Sequence, residues 1–204
     1  METTPMNTTL SDGETEAGTI RRAPALAWVM LIGGVIGFAA AVVLTVDKLR
    51  LIADSSYAPS CNINAVVNCG SVMESAQASV LGFPNSFMGV GGFAIVAMIG
   101  AALVLGVHLE RWFWVAVQVG VTAAVLFVHW LIVQSLYRIG ALCPYCMVVW
   151  AVTVPVFWYV TLHNVALFRP TRRPVSSAWH RVPVAVWFVV VAALVAQRFV
   201  LTSD

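Results

Sequence analysis

A chain of 204 residues with 60% hydrophobic and 10% charged side chains is unlike an ordinary soluble domain, where about 25% of residues are charged. Its mean hydropathy of +0.89 and formal net charge of +2 point to membrane lipid as its surroundings and not to a nucleic-acid partner. Several apolar runs reach the roughly 20 residues needed to cross hydrocarbon as a helix, so the expected fold class is an all-α integral membrane protein.

Residues Met1–Arg22, rich in Thr, Ser, Glu and Gly, cannot bury enough apolar surface to fold and are expected to form a disordered cytoplasmic tail. The first apolar run, Ala25–Val46, lacks a signal-peptidase site and exits at Asp47 and Lys48, which marks an uncleaved anchor. Asp47–Asn85, with Ser55, Ser56, Pro59, Asn62, Asn64, Asn68 and Gln77, is too polar to span and is expected outside the hydrocarbon, with a short helix near Ser71–Ser79. Four more spans follow at Ser86–Val107, Trp112–Tyr137, Leu142–Leu162 and Pro183–Leu201. Residues 23–162 then form a four-helix unit, 163–182 a basic cytoplasmic loop, and 183–204 a fifth span with a short outer tail.

Lys and Arg are retained preferentially on the cytoplasmic side. A cytoplasmic N-terminus places Arg21, Arg22, Arg111, Arg169, Arg172, Arg173 and Arg181 there, out of 11 basic residues. Lys48, Arg50, Arg138 and Arg198 fall on the other side. Cys61, Cys69 and the turn before Cys143 then face outward, where disulfides persist.

Four cysteines permit three pairings. Cys143-Pro-Tyr-Cys146 has the i, i+3 spacing of one helical turn, and Pro144 suits the first turn of a helix. The helix N-terminus favours an anion, and a Cys-X-X-Cys pair there has a lowered thiol pKa. Cys143 is expected to face water and Cys146 the bundle interior. Structural disulfides and a four-thiolate zinc site are the alternatives. A disulfide across one helical turn constrains little, and the eight-residue step from Cys61 to Cys69 is not a usual zinc-knuckle spacing. Redox exchange is preferred, through thiolate attack on a disulfide sulfur. The residues Pro59, Ser60, Asn62 and Asn64 fit a mobile loop that carries it.

Three stretches carry a family resemblance: Cys61-Asn-Ile-Asn-Ala-Val-Val-Asn-Cys69 with Ser75 six residues on, Gly82-Phe-Pro-Asn85-Ser86-Phe-Met-Gly89, and Cys143-Pro-Tyr-Cys146. In order and topology, over roughly residues 25–162, the chain resembles the bacterial homologues of vitamin K epoxide reductase. The resemblance implies a four-helix bundle around a quinone, menaquinone or ubiquinone, with the outer loop and a half-helix as a lid. It implies that Cys61 and Cys69 shuttle electrons, that Cys143 is the member attacked by a loop thiolate, and that Cys146 faces the quinone. Cys69 is taken to meet the partner and Cys61 to attack Cys143. Asn85 is implied as a hydrogen-bond donor to a quinone carbonyl and Ser75 as a neighbour of the quinone site; read alone, they are a helix N-cap and a solvated hydroxyl.

Some relatives carry a fused thioredoxin-like domain, whereas this chain stops at Asp204. The resemblance therefore implies a separate exported partner, DsbA-like or of thioredoxin fold, and a bacterial cytoplasmic membrane location supporting disulfide formation in exported proteins. Trp150 stands where animal members carry Tyr. It can fence a quinone ring but supplies no phenol, which speaks against epoxide reduction. A DsbB-type oxidase, whose two cysteine pairs come in the opposite order, and a non-enzymatic membrane protein with structural disulfides are the competing readings.

Polar side chains inside a span are costly unless they face the interior. His129 and Gln134 are such residues; His129 is read first as satisfied by a neighbouring helix and second as a proton relay. Gly33, Gly37, Gly89 and Gly92 read as close helix packing.

Overall fold

The computed structural model describes residues 23–54, 56–168 and 181–201. The expected tail at 1–22, Ser55, most of the basic loop and the last three residues lie outside the described residues, and Arg21, Arg22, Arg169, Arg172 and Arg173 with them. Among the described residues are five helices long and apolar enough to cross a membrane, and no strand beyond one isolated bridge. The all-α membrane architecture is therefore present.

Helix α1, Ala23–Ala53, continues past the expected stop at Val46. Asp47, Lys48 and Arg50 end the hydrophobic run, but nothing among them breaks a helix. At about 1.5 Å per residue its 31 residues outreach a hydrocarbon core of about 30 Å, so its last turns stand clear of the lipid. The chain turns at Asp54, whose Oδ1 accepts from the Ser56 amide and hydroxyl at 2.8 and 2.6 Å.

The short helix expected at Ser71–Ser79 is two pieces, α2 at Cys69–Glu74 and a 3-10 turn at Ala76–Ser79, parted at Ser75 where the backbone becomes extended. Helix α3, Ser86–Val104, stops before the expected Val107, and Gly106 supplies the positive φ of 81° that ends it. Helix α4, Arg111–Gln134, passes into a π turn at Ser135–Ile139. Helix α5 is Pro144–Phe168, beginning after the expected Leu142 and running beyond Leu162. Helix α6, Val182–Ala196, is the fifth span.

Glycines set how closely α1 and α3 approach. A Cβ on Gly34 would collide with the backbone of Ala97, and one on Gly100 with the backbone of Leu31. Neither residue was singled out from sequence. Of those that were, Gly33 meets Val156 of α5, Gly37 meets the Phe93 ring, and Gly89 meets Ala41. Gly92 departs from the expectation: a Cβ there would meet nothing within 4 Å, because the position borders a cavity instead of a helix.

At the end of the bundle away from the cysteines, α4 and α5 are joined by polar side chains. Asn164 Nδ2 donates to Gln118 Oε1 at 2.9 Å, and Gln118 Nε2 donates to Thr161 Oγ1 at 3.0 Å. Helix α6 joins α4 through Trp187, whose indole N–H donates to His129 Nε2 at 2.8 Å. Because an indole only donates, Nε2 must accept. The proton of neutral His129 then sits on Nδ1, 2.7 Å from the Val125 carbonyl. Both ring nitrogens are engaged, and His129 is not on the cavity wall.

Candidate functional site: a thiol cluster beside an apolar cavity

Asparagine side chains shape the loop that follows α1. Asn64 Oδ1 accepts from the amides of Val66 and Val67 at 2.9 and 2.7 Å, Asn62 Oδ1 accepts from Gly70 at 2.9 Å, and Asn68 Oδ1 caps α2 by accepting from Ser71. These are local turns of the kind asparagine favours. The loop that these turns fold is closed by a Cys61–Cys69 disulfide with a Cα–Cα distance of 5.7 Å.

A parallel bridge brings this loop to the other cysteine pair. The Leu142 amide donates to the Val66 carbonyl at 2.7 Å, and the Asn68 amide donates to the Leu142 carbonyl at 3.0 Å. Val66 and Asn68 lie inside the disulfide loop, while Leu142 immediately precedes Cys143. Two hydrogen bonds thus set the loop disulfide against the start of α5.

Cys61, Cys69, Met73 and Cys143 consequently form one buried cluster, with Leu44, Leu51, Val72, Tyr145 and Cys146 packed around it. This corrects the expectation that Cys143 faces water: it is 0% exposed, as is Cys69, and Cys61 is 6% exposed. The helix start that would have been open to solvent is covered by the bridged loop. Cys143 and Cys146 are free thiols. Cys143 lies just ahead of the apolar span and its pKa is held below the ordinary thiol range, chiefly by the hydrogen bond from Cys146, with the Cys146 and Tyr145 amides adding to it. Burial and the charge of Asp47 act in the opposite direction.

Cys146 leaves the cluster on its other side and borders a cavity of about 870 Å³. Trp150 stands one turn further along α5, on the same helix face, 3% exposed and also on the cavity wall. Ser75 and Asn85 border it as well. The structure therefore gathers Cys146, Trp150, Ser75 and Asn85 around one space, while Cys61, Cys69 and Cys143 form the adjoining cluster.

The polar groups here already have protein partners. The Ser75 hydroxyl donates to the Val72 carbonyl at 2.6 Å, across the break between α2 and the 3-10 turn. Asn85 precedes α3 without capping it; its Nδ2 donates to the Gln77 carbonyl at 2.7 Å and its Oδ1 accepts from the Val80 amide at 3.3 Å. Asn85 thereby fastens the 3-10 turn over the cavity and retains a second amide hydrogen. Lys48, seen from sequence only as part of a charged exit, also borders the cavity, and its Nζ donates to the Met73 carbonyl at 2.6 Å. Asp47, read in the same way, is buried beside the cluster and accepts from the Tyr57 hydroxyl at 3.0 Å.

Most of the wall is aliphatic or aromatic, and α3 and α4 face each other across it with Gly92, Val96, Val117 and Gly120. The volume is in the range of small-molecule sites, which are mainly apolar with a few placed polar groups. A flat apolar ring with polar oxygens fits this lining: the thiol of Cys146, the amide of Asn85 and the ammonium of Lys48 belong to the cysteine end, with an apolar trough behind them.

The sequence profile described as the Vitamin K epoxide reductase family matches residues 28–161. That range holds all four cysteines, the bridge and the cavity walls contributed by α1, α3, α4 and α5. A search of curated proteins finds no match. With two cysteine pairs meeting beside an apolar cavity and a profile that covers well over half of its length, the chain belongs to the vitamin K epoxide reductase family, whose members are oxidoreductases.

Proposed function

We propose that this protein passes electrons from a reduced exported partner, DsbA-like or of thioredoxin fold, to a membrane quinone through its two cysteine pairs, supporting disulfide formation in exported proteins. The observation that carries the reading is the placement of Cys143 and Cys146 between the loop disulfide and the cavity. A partner dithiol reduces Cys61–Cys69. The Cys61 thiolate then attacks Cys143 Sγ of an oxidised Cys143–Cys146 pair, and the electron pair of the broken bond leaves on Cys146. Cys69 attacks Cys61, which restores the loop disulfide and releases Cys143 as a thiolate. A quinone, menaquinone or ubiquinone, supplies an acceptor for two electrons and two protons.

Within the cavity Cys146 holds the reducing thiol, Asn85 offers its second amide hydrogen to a carbonyl oxygen, and Trp150 supplies a flat wall. Lys48 contributes positive charge where an oxygen becomes more negative. Trp150 has no phenolic proton to give, so quinone reduction without epoxide chemistry is the proposed activity. The proposed setting is a bacterial cytoplasmic membrane, with the N-terminus inside and the cysteine end outside.

The test is loss of quinone absorbance when purified protein receives a soluble menaquinone or ubiquinone analogue and a reduced thioredoxin-fold protein. Wild type bleaches the quinone and Cys146→Ser does not. Equal rates for the two proteins would overturn the proposal. Cys61→Ala, which leaves Cys69 to hold the partner in a mixed disulfide, identifies that partner.

A further inference from the structure

Helix α1 buries a carboxylate beside the thiol cluster. Asp47 is only 6% exposed. It follows Leu44 by three residues and precedes Leu51 by four, and both leucines pack against the cluster of Cys61, Cys69 and Cys143. Helical periodicity turns Asp47 to that same face. Its Oδ1 accepts from the Tyr57 hydroxyl at 3.0 Å, and that hydroxyl lies 3.4 Å from Arg50 Nη1. Lys48, the adjacent cation, gives its ammonium to the Met73 carbonyl instead. A carboxylate is costly to bury, and an amide would hold Tyr57 at lower cost.

We propose that Asp47 carries a proton between the loop dithiol and Cys143 while the two cysteine pairs exchange. The proposal rests on the cysteine relay above. The ionised carboxylate takes the proton from the Cys69 thiol. The Cys69 thiolate attacks Cys61 Sγ of the Cys61–Cys143 bond, forming Cys61–Cys69 and expelling Cys143 as a thiolate. The protonated Asp47 gives its proton to that thiolate. The loop is oxidised by two electrons, the Cys143–Cys146 pair is reduced by two, and one of the two protons travels through Asp47. The second comes from solvent to Cys146, matching the one lost when Cys61 ionised. The negative charge of Asp47 opposes a thiolate at Cys143, which favours Cys143 as the site where the proton is delivered. The other titratable groups around it are Lys48 and Arg50 on α1, Tyr57 in the loop, and Tyr145 and Cys146 on α5, while Glu74 of α2 is exposed.

The test uses full-length protein in nanodiscs with both pairs oxidised and no quinone present. One equivalent of dithiothreitol is added, and the appearance of Cys143 and Cys146 thiols is followed by acid quench and mass-tag alkylation across a range of pH. Wild-type exchange falls on the acid side as the attacking thiols lose their thiolate fraction. Asp47→Asn is expected to be about a hundredfold slower near neutral pH, as for loss of a general acid–base group, and to have a steeper profile that recovers toward the wild-type rate as Cys69 ionises without help at higher pH. Tyr57→Phe keeps the wild-type profile, which separates proton carriage from a purely structural hold on Tyr57. An Asp47→Asn profile shaped like wild type, or a Tyr57→Phe profile steepened equally, overturns the proposal. If Asp47→Asn does not fold, Asp47→Glu decides: a profile steeper than wild type supports carriage and one of wild-type shape overturns it. Cys143 and Cys146 thiols appearing just as fast without Cys61 and Cys69 would instead overturn the relay itself.

Discussion

Helix α3 treats its two neighbours in opposite ways. Against α1 it comes so close that neither Gly34 nor Gly100 has room for a Cβ, whereas toward α4 it leaves a cavity of about 870 Å³. Small residues line both faces. Where they meet a backbone, as at Gly34 and Gly100, they produce a rigid wall; where they meet small residues across a gap, as Gly92 meets the side of α4 bearing Ala116, Gly120 and Ala124, they leave space. In lipid, helices associate through packing more than through a hydrophobic driving force, so a gap between two apolar helices is a place for an apolar guest. Cys146 opens on the gap and not on the wall.

Substitutions on the two faces should therefore fail differently. The largest effect is expected from Gly100→Leu, whose side chain would have to enter the backbone of Leu31. Overpacking typically costs about 1–3 kcal/mol and more when backbone must move, so the thermal midpoint and the yield of folded protein should fall steeply. A midpoint equal to wild type would show that α1 and α3 are not locked. Next comes Gly92→Phe, which fills the gap. The fold should persist while the KM for a quinone analogue rises about tenfold, on the order of 1.4 kcal/mol of lost binding; an unchanged KM would place the guest elsewhere.

Asn85→Ala should have a smaller effect. It removes the two hydrogen bonds that fasten the 3-10 turn over the gap, at a net cost of about 1 kcal/mol each. Faster amide exchange confined to residues 76–80 is the expected result, and exchange unchanged there would show that the turn is held by other contacts. The smallest effect concerns the protons of the thiol pair. The Cys146 hydrogen bond is the largest contribution lowering the Cys143 pKa, so Cys146→Ala should raise it. Cys143 thiolate, followed by its ultraviolet absorbance, then appears at higher pH than in wild type. A titration that stays in place or moves to lower pH would remove Cys146 as the cause.

The spans and their order were legible because uninterrupted apolar runs leave few alternatives in lipid. Their ends were not. Asp47 and Lys48 mark where the hydrophobic run stops, but a helix is free to continue into water, and α1 does so to Ala53. That extension is what gives Asp47 its place beside the thiols, and the one signal for it was the spacing of Asp47 between Leu44 and Leu51. Among the candidate residues, Cys146, Ser75, Asn85 and Trp150 are brought to one cavity. The burial of Cys143 was missed because it depends on the pairing of Val66 and Asn68 with Leu142, a contact between segments far apart in sequence that no local pattern encodes. Gly34 and Gly100 escaped for the same reason: close approach belongs to a pair of helices, and each helix alone offered several glycines.

The bridge that places the loop beside α5 consists of two hydrogen bonds. At a net value of about 1 kcal/mol apiece, those bonds alone would favour the docked loop about thirtyfold, and the burial of Cys61, Cys69 and Met73 against Cys143 adds to that hold. Loop excursions take nanoseconds to microseconds, whereas a typical enzyme turns over about ten times a second. Undocking that must also unpack the cluster is rarer than a free-loop excursion, yet the gap between these timescales leaves room for it. The same latch thus sets both how long the loop disulfide stays against Cys143 and how often its sulfurs are uncovered.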